Sequence, residues 1–248
     1  MPIPIRLVTF DLLHTLVTPR YPIHIQYSRV FEPFLGPLNP DTLKDSFGIA
    51  LRQLQAEKPV YGSDVTGWWS AVIRPTALGA GADEKVLDAS LGAIVPELMS
   101  AFSTKEGYKA FDDSLPALHR LHELGIRTAV VSNADSRMLS VLRDLDFPSY
   151  LNPILLSESE EIEKPAPEIF LRALVRVNAE LEKPIAPLEC LHVGDEVVCD
   201  YKGALSAGMR ALLLERPGTE IDEESIERVK DLHEVVGWVE GSTSYPTF

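Results

Sequence analysis

Four residues that can do chemistry occur along the chain, each next to a predicted strand or helix. Asp11 follows the apolar segment RLVTF, Ser132 follows RTAVV, Asp195 follows CLHVG, and Lys164 precedes a helical segment. Such a set suits phosphoryl transfer, because a carboxylate can attack phosphorus while a lysine and a hydroxyl bind the phosphoryl oxygens. A divalent cation would screen the repulsion between Asp11 and an anionic substrate, and oxygen ligands of this kind favour Mg²⁺.

The predicted secondary structure explains how these residues would meet. Short apolar strands are expected at 6–10, 127–131, 190–193 and 210–214, and helices at 115–124, 138–145, 165–177 and 201–207. Strands that alternate with helices imply right-handed crossovers and a parallel sheet with helices on both faces. We therefore predict an α/β, Rossmann-like fold, in which ligands bind beyond the carboxyl ends of the strands.

The segment 18–108 has a different pattern. Its apolar residues recur at helical spacing, for example Leu43, Phe47 and Leu54, and no convincing strand is found in it. We therefore expect a small helical bundle inserted into the sheet domain. The predicted organisation is a first core segment at 1–17, a helical insert at 18–108, and the remainder of the core at 109–248.

Composition excludes several classes of protein. The chain has 248 residues, of which 45% are hydrophobic, two cysteines and a formal charge of −14. An apolar content this high indicates a folded protein, and two cysteines are too few for a disulfide framework. The negative charge argues against a nucleic-acid or membrane surface, and neither a signal peptide nor a membrane span is evident. We expect a cytoplasmic protein with a small-molecule substrate; its oligomeric state stays open.

Four ordered motifs resemble those of the haloacid dehalogenase superfamily. They are FDLLHTL (10–16), VVSN (130–133), the lysine of EKPAPEIF (163–170) and HVGDEVVCD (192–200). Each motif alone is weak, but all four occur in order, each at a predicted strand end or loop. The helical insert looks like the α-helical, C1-type cap of that superfamily. The first motif is similar to that of the eukaryotic branch of haloacid dehalogenase-like hydrolase domain-containing proteins.

The resemblance implies catalytic roles for residues of the first three motifs. Asp11 would be the nucleophile that forms an aspartyl intermediate, and Thr15 would support its loop. Ser132, Asn133 and Lys164 would bind the substrate, with Ser132 and Lys164 contacting the transferred group. The implied reaction is hydrolysis of a small phosphorylated metabolite.

The resemblance also implies a Mg²⁺ site. Asp11, Asp195 and Asp200 would provide carboxylate ligands, and the residue two positions after the nucleophile would provide its backbone carbonyl. That residue is Leu13 in this chain.

Leu13 is also the main departure from the pattern. Phosphatases of the superfamily carry an acid there, which protonates the leaving alkoxide and then activates water. Leucine cannot transfer a proton, and general acid/base catalysis is worth about 10² to 10⁴ in rate. A slow phosphatase is therefore expected, with His14 as a candidate replacement for the missing acid. Two alternatives stay open: a binding or regulatory protein with little turnover, and a 2-haloacid dehalogenase, which needs no leaving-group proton.

Overall fold

The computed structural model describes residues 3–62, 64–216 and 226–243. Its strands are β1 (Leu7–Phe10), β2 (Val17–Pro19), β3 (Tyr108–Ala110), β4 (Arg127–Ser132), β5 (Leu151–Leu156), β6 (Cys190–Gly194), β7 (Arg210–Leu214) and β8 (Arg228–Val229). Its α-helices are α1 (Ile23–Leu35), α2 (Pro40–Glu57), α3 (Val65–Gly79), α4 (Glu84–Ala101), α5 (Ser114–Glu123), α6 (Arg137–Asp144), α7 (Ser157–Glu160), α8 (Pro167–Asn178), α9 (Gly203–Ser206) and α10 (Leu232–Thr243). Among the described helices, none combines the length and apolar character needed to cross a bilayer.

By its internal contacts the chain divides into two compact units. The first contains Met1–Thr18, Ala110–Ala134 and Asp146–Phe248, and the second contains Pro19–Lys109 and Asp135–Leu145.

The first unit is built on a six-stranded sheet in the order β5-β4-β1-β6-β7-β8. Every neighbouring pair in it is parallel. Successive strands run outward from β1 to one edge through β4 and β5, and then to the other edge through β6, β7 and β8. The sheet therefore reverses its strand order next to β1, which is where open α/β sheets bind ligands. The predicted α/β fold is confirmed.

The core of the first unit lies between the sheet and its helices. Helix α8 buries Ile169, Phe170 and Ala173, three residues at helical spacing, in one cluster with Ala129 and Val131 of β4. Strand β1 is buried along its whole length, which is expected of a central parallel strand covered on both faces. This burial holds the carboxyl end of β1, and with it Asp11, in a fixed position.

The second unit is helical, as its 3.6-residue periodicity predicts. Helices α1 to α4 bury a cluster that includes Phe31, Leu43, Ile73 and Ile94, each at most 1% exposed. Tyr27 belongs to the same cluster, and Trp68 to a neighbouring one. Tyr27 and Trp68 therefore contribute to the core of this unit.

Two features differ from the sequence-based expectation. No strand was expected within 18–108, whereas β2 and β3 pair as a two-stranded sheet at the ends of this segment. Strands of three residues are too short to show an alternating pattern. In addition, Asp135–Leu145 groups with the helical unit, although 109–248 was assigned to the core. The cause is a set of bonds: Asp135 accepts a hydrogen bond from the Trp69 indole at 2.9 Å and pairs with Arg137, which lies over the Trp69 ring.

Candidate functional site

Three adjacent central strands carry the predicted site residues. Asp11 directly follows β1, Ser132 is the last residue of β4, and Asp195 directly follows β6. Because these strands are parallel neighbours, their carboxyl ends lie at one edge of the sheet. Carboxylate oxygens of Asp11, Asp195 and Asp200 all lie within 4.8 Å of one another there. Three carboxylates this close need a cation between them.

Lys164 supplies a positive charge to this cluster. Its Nζ donates one hydrogen bond to Asp11 Oδ1 and another to Asp200 Oδ1, each at 2.5 Å, and its side chain is only 3% exposed. The charges of the two aspartates raise the pKa of Lys164 despite its burial, so the ammonium stays charged. One ammonium thus bridges two buried carboxylates.

Asn133 holds the Lys164 main chain in place. Its Nδ2 donates to the Lys164 carbonyl at 2.8 Å, and its Oδ1 accepts from the Lys164 N–H at 2.7 Å. Both ends of the carboxamide are therefore used to position the lysine. The predicted role of Asn133 in substrate binding stays a prediction, but its observed role is to fix the loop that carries Lys164.

Asp11 is nearly buried, with 7% of the residue exposed. Burial raises the pKa of Asp11 above its ordinary value, and the charge of Lys164 and hydrogen bonds from Lys164 and Ser132 only partly offset this rise. The charge of Asp200 acts in the same direction as burial. Ser132, which is 2% exposed, therefore lies beside Asp11, and its predicted contact with the transferred group stays a prediction.

Asp195 and Asp200 have different surroundings. Asp200 accepts hydrogen bonds at both oxygens: Oδ1 from Lys164 and from His192 Nε2 at 3.1 Å, and Oδ2 from the Glu196 N–H at 2.9 Å. Burial opposes ionisation of Asp200, but the Lys164 charge and the His192 hydrogen bond outweigh it and lower its pKa. Asp200 is thus an ionised carboxylate that is already satisfied by protein donors.

Asp195, in contrast, has no lysine or histidine in the described part of the chain that donates to its carboxylate. Burial and the charges of Asp11, Asp200 and Glu196 raise the pKa of Asp195 to about 8. Among the described residues, only its own backbone N–H is found to offset this rise, and no cationic side chain pairs with Asp195. A divalent cation held by Asp195 and Asp11 would remove this repulsion, and all-oxygen donors match Mg²⁺. The residues present therefore fit the implied metal.

The nucleophile loop is a tight turn. Three successive backbone N–H groups, those of Thr15, Leu16 and Val17, donate to the Leu12 carbonyl, and the His14 N–H donates to the Val17 carbonyl at 2.7 Å. Within the described residues, no main-chain N–H donates to the Leu13 carbonyl. This carbonyl can therefore serve as the predicted metal ligand, while the Leu13 side chain offers no proton.

A guanidinium anchors the same loop from the other side. Arg216 donates from Nη2 to the Thr15 carbonyl at 2.8 Å and forms a two-pronged ion pair with Asp113 at 2.7 and 3.0 Å. The Thr15 hydroxyl is buried and has no hydrogen-bond partner among the described residues. Thr15 therefore supports the loop through its backbone, not through its hydroxyl as a residue of this type would suggest.

His14 stands apart from the hydrogen-bonded cluster. It adopts a left-handed backbone conformation with φ of 63°, and its side chain is exposed. Partial desolvation lowers the pKa of the His14 imidazole, while the charges of Asp11 and Glu196 raise it. The ring forms no hydrogen bond among the described residues, so its predicted catalytic role stays a prediction.

Sequence reasoning missed His192, Thr9 and the Asp113–Arg216 pair. His192 is fully buried in β6 and connects Asp200 to the Thr9 hydroxyl, which lies 2.8 Å from Nδ1. A histidine inside an otherwise apolar strand that ends on a predicted metal ligand was a usable signal, since burying a polar ring requires partners. The Asp113–Arg216 pair spans about a hundred residues and has no local signal.

Comparison with known proteins agrees with this geometry. The model of the family described as haloacid dehalogenase-like hydrolase matches residues 5–208. The chain is 31% identical over 220 residues to haloacid dehalogenase-like hydrolase domain-containing protein 3 of Danio rerio, covering 87% of each.

Two solved structures show a similar fold. A 2-haloacid dehalogenase from Pseudomonas syringae pv. Tomato has a TM-score of 0.66 and 24% identity, covering 97% of this chain and all 100% of that one. A phosphatase from Thermococcus onnurineus has a TM-score of 0.61 and 20% identity, covering 96% and 99%. These two proteins have different activities and so do not identify the reaction. The family match and the curated relative show that the chain belongs to the haloacid dehalogenase-like hydrolases, in the branch of the eukaryotic domain-containing proteins.

Proposed function

We propose that the protein is a slow, Mg²⁺-dependent phosphatase that acts on a small phosphorylated metabolite through Asp11. The observation that carries the proposal is the buried Asp11–Lys164 contact beside the uncompensated Asp195 carboxylate. Lys164 favours the ionised form of Asp11 against the effect of burial, and it would also offer positive charge to an incoming phosphoryl group. Mg²⁺, held by Asp11, Asp195 and the Leu13 carbonyl, would supply the positive charge that lets two anions meet.

The reaction has two steps at phosphorus. An Asp11 carboxylate oxygen attacks, the ester P–O bond breaks, and its electron pair leaves with the alkoxide. Water then attacks the aspartyl phosphate, which releases inorganic phosphate and restores Asp11. Ser132 lies beside Asp11 and would donate to a phosphoryl oxygen in both steps.

Leu13 makes the rate depend on the leaving group. An alkoxide is a strong base and leaves poorly without a proton, whereas a nitrophenolate is stable as an anion. We expect the wild-type protein to hydrolyse p-nitrophenyl phosphate at a measurable rate. Its hydrolysis of an alkyl phosphate should be about 10² to 10⁴ times slower than that of an enzyme with an acid at position 13.

The test compares four proteins on both substrates with and without Mg²⁺. Asp11→Asn should abolish hydrolysis. Leu13→Asp should raise the rate on the alkyl phosphate more than the rate on the aryl phosphate. Leu13→Asn should not, because asparagine has the shape of aspartate but cannot act as an acid. Equal rates in wild type and Asp11→Asn, or equal gains from Leu13→Asp and Leu13→Asn, would contradict the proposal.

A second candidate function is binding without turnover. It is favoured by Leu13 and by the absence, among the described residues, of a hydrogen bond that holds the His14 ring in the site. In that case, inorganic phosphate with Mg²⁺ should bind to wild type and hydrolysis should be absent from Leu13→Asp as well.

Dehalogenation is the third candidate. It would use Asp11 without a leaving-group proton, but a halide displacement gains nothing from the close acidic group formed by Asp195 and Asp200. Mg²⁺-independent release of halide from 2-chloropropionate would favour this reaction over the phosphatase.

A further inference from the structure

A buried hydrogen-bonded chain extends from the proposed nucleophile to β1. It runs from Asp11 through Lys164 to Asp200, then to His192 and Thr9. Thr9 and His192 are register partners on the adjacent parallel strands β1 and β6, so the sheet itself sets their separation. Both residues are 0% exposed. Neither is needed to bind substrate or metal in the proposed reaction.

The hydrogen-bond donors in this chain can be assigned from chemistry. Asp200 is held by Lys164 and the Glu196 N–H, and as an ionised carboxylate it can only accept. His192 Nε2, 3.1 Å away, must therefore carry a proton. His192 packs edge-on against the Phe170 ring, with centroids 4.9 Å apart, in an environment that favours the neutral imidazole. Its Nδ1 is then an acceptor, and the Thr9 hydroxyl donates to it at 2.8 Å.

The neutral His192 N–H affects how the charge of Lys164 is shared between Asp11 and Asp200. Lys164 is shared by two carboxylates, and a stronger pull from Asp200 would draw the ammonium away from Asp11. The His192 N–H satisfies part of Asp200 Oδ1 without adding a second buried cation. Thr9 in turn fixes the imidazole in the tautomer that donates toward Asp200, as second residues do for histidines in other polar sites.

We propose that Thr9 and His192 are positioning residues that orient Asp200 and thereby hold Lys164 against Asp11 for anion binding. This inference rests on the proposed function for its effect on binding, but its hydrogen-bond pattern is testable without turnover. Neither residue changes its protonation state in this role.

The first experiment is ¹⁵N NMR of histidine-labelled full-length protein, with the His192 signals assigned by their loss in His192→Gln. We expect a protonated Nε2 and a bare Nδ1. In Thr9→Val the Nδ1 resonance should move, because a bare nitrogen loses its hydrogen bond, and in Thr9→Ser it should stay close to its wild-type position. A proton on Nδ1, or the same Nδ1 resonance in Thr9→Val and wild type, would overturn the assignment.

The second experiment measures binding of inorganic phosphate in the presence of Mg²⁺ by calorimetry. His192→Phe keeps a ring but removes the donor, and should weaken binding about tenfold, the size expected for a hydrogen bond to a charged group. His192→Gln, which can donate from a similar position, should bind within about threefold of wild type. Equal loss in the two variants would contradict a positioning role.

The Thr9 variants cover the case in which His192→Phe does not fold. Thr9→Val should weaken phosphate binding and Thr9→Ser should restore it, with circular dichroism confirming that both are folded. Equal binding by these two variants would overturn the proposal. If wild type itself does not bind phosphate, the proposed function is wrong, and the positioning role in anion binding is wrong with it, whatever the NMR pattern shows.

Discussion

Gly194 leaves room for the Asp200 carboxylate. A β-carbon at residue 194 would overlap the Asp200 side chain, so only glycine permits the observed contact between the end of β6 and this carboxylate. Asp200 Oδ1 accepts a hydrogen bond from Lys164, so the position of the lysine also depends on glycine at residue 194.

We therefore predict that Gly194→Ala displaces Asp200 and lowers both stability and phosphate binding. Overpacking of this kind costs about 1 to 3 kcal/mol of unfolding free energy. Urea denaturation and phosphate calorimetry would measure the two effects. Gly92→Ala is the matched control, because Gly92 is exposed within α4 and a β-carbon added there would contact no neighbouring side chain within 4 Å. Gly92→Ala should raise the free energy of unfolding by up to about 1 kcal/mol. If Gly194→Ala is as stable as Gly92→Ala and binds phosphate as well, the prediction is wrong.

The Asp113–Arg216 pair should stabilise the first unit strongly. Asp113 also accepts a hydrogen bond from the Leu232 N–H at 2.8 Å, so the pair joins the nucleophile loop to the start of α10. Arg216→Met leaves a nearly buried carboxylate without its cation and should cost about 3 kcal/mol, measured by urea denaturation. Arg74→Met, which breaks an exposed pair with Asp88, should have little effect.

The same pair predicts a pH dependence. Burial acts to raise the pKa of Asp113, but hydrogen bonds from Arg216 and Leu232 and the guanidinium charge lower it below 3.8 overall. Its contribution to stability is therefore complete above pH 4 and is lost as the pH falls through the folded-state pKa. The stability difference between wild type and Asp113→Asn should shrink below about pH 4. A difference that stays constant from pH 6 to pH 3 would show that the charge of Asp113 is not the cause.

Asp195 should destabilise the metal-free protein. Its pKa is raised to about 8 by burial and by the charges of Asp11, Asp200 and Glu196. Between pH 4 and 8 the folded protein holds a proton at Asp195 that the unfolded chain releases, so the stability contribution falls as the pH rises. Asp195→Asn should therefore raise the thermal midpoint above pH 8 in EDTA. Mg²⁺ should raise the midpoint of wild type but not of Asp195→Asn; equal Mg²⁺ responses would exclude Asp195 as a ligand.

The sequence predicted the sheet because the relevant signals are local. RLVTF, RTAVV and CLHVG are short buried strands, each followed directly by a polar residue, and parallel order then brings Asp11, Ser132 and Asp195 to one edge. Lys164 was predicted from its motif to bind the transferred group, and the structure places its Nζ against Asp11 at the same edge.

The partners that hold these residues in place were not predictable in the same way. Arg216 reaches Thr15 across 201 positions, and nothing in the local pattern selects it over other arginines. The distinction between Asp195 and Asp200 depends on which carboxylate meets Lys164 and His192 in three dimensions. Residue type alone gives both the same role.

His14 permits a test that separates its backbone from its imidazole. Its φ of 63° lies in the left-handed region, where a residue with a β-carbon is strained by about 1 kcal/mol relative to glycine. His14→Gly and His14→Ala both remove the imidazole, but only alanine retains the strain. We expect alanine to be the less stable by about 1 kcal/mol in urea denaturation. If the imidazole replaces the acid missing at Leu13, both variants should lose hydrolysis of an alkyl phosphate equally while retaining that of p-nitrophenyl phosphate. If His14 only shapes the turn, His14→Gly should keep both activities, and the catalytic role would be excluded.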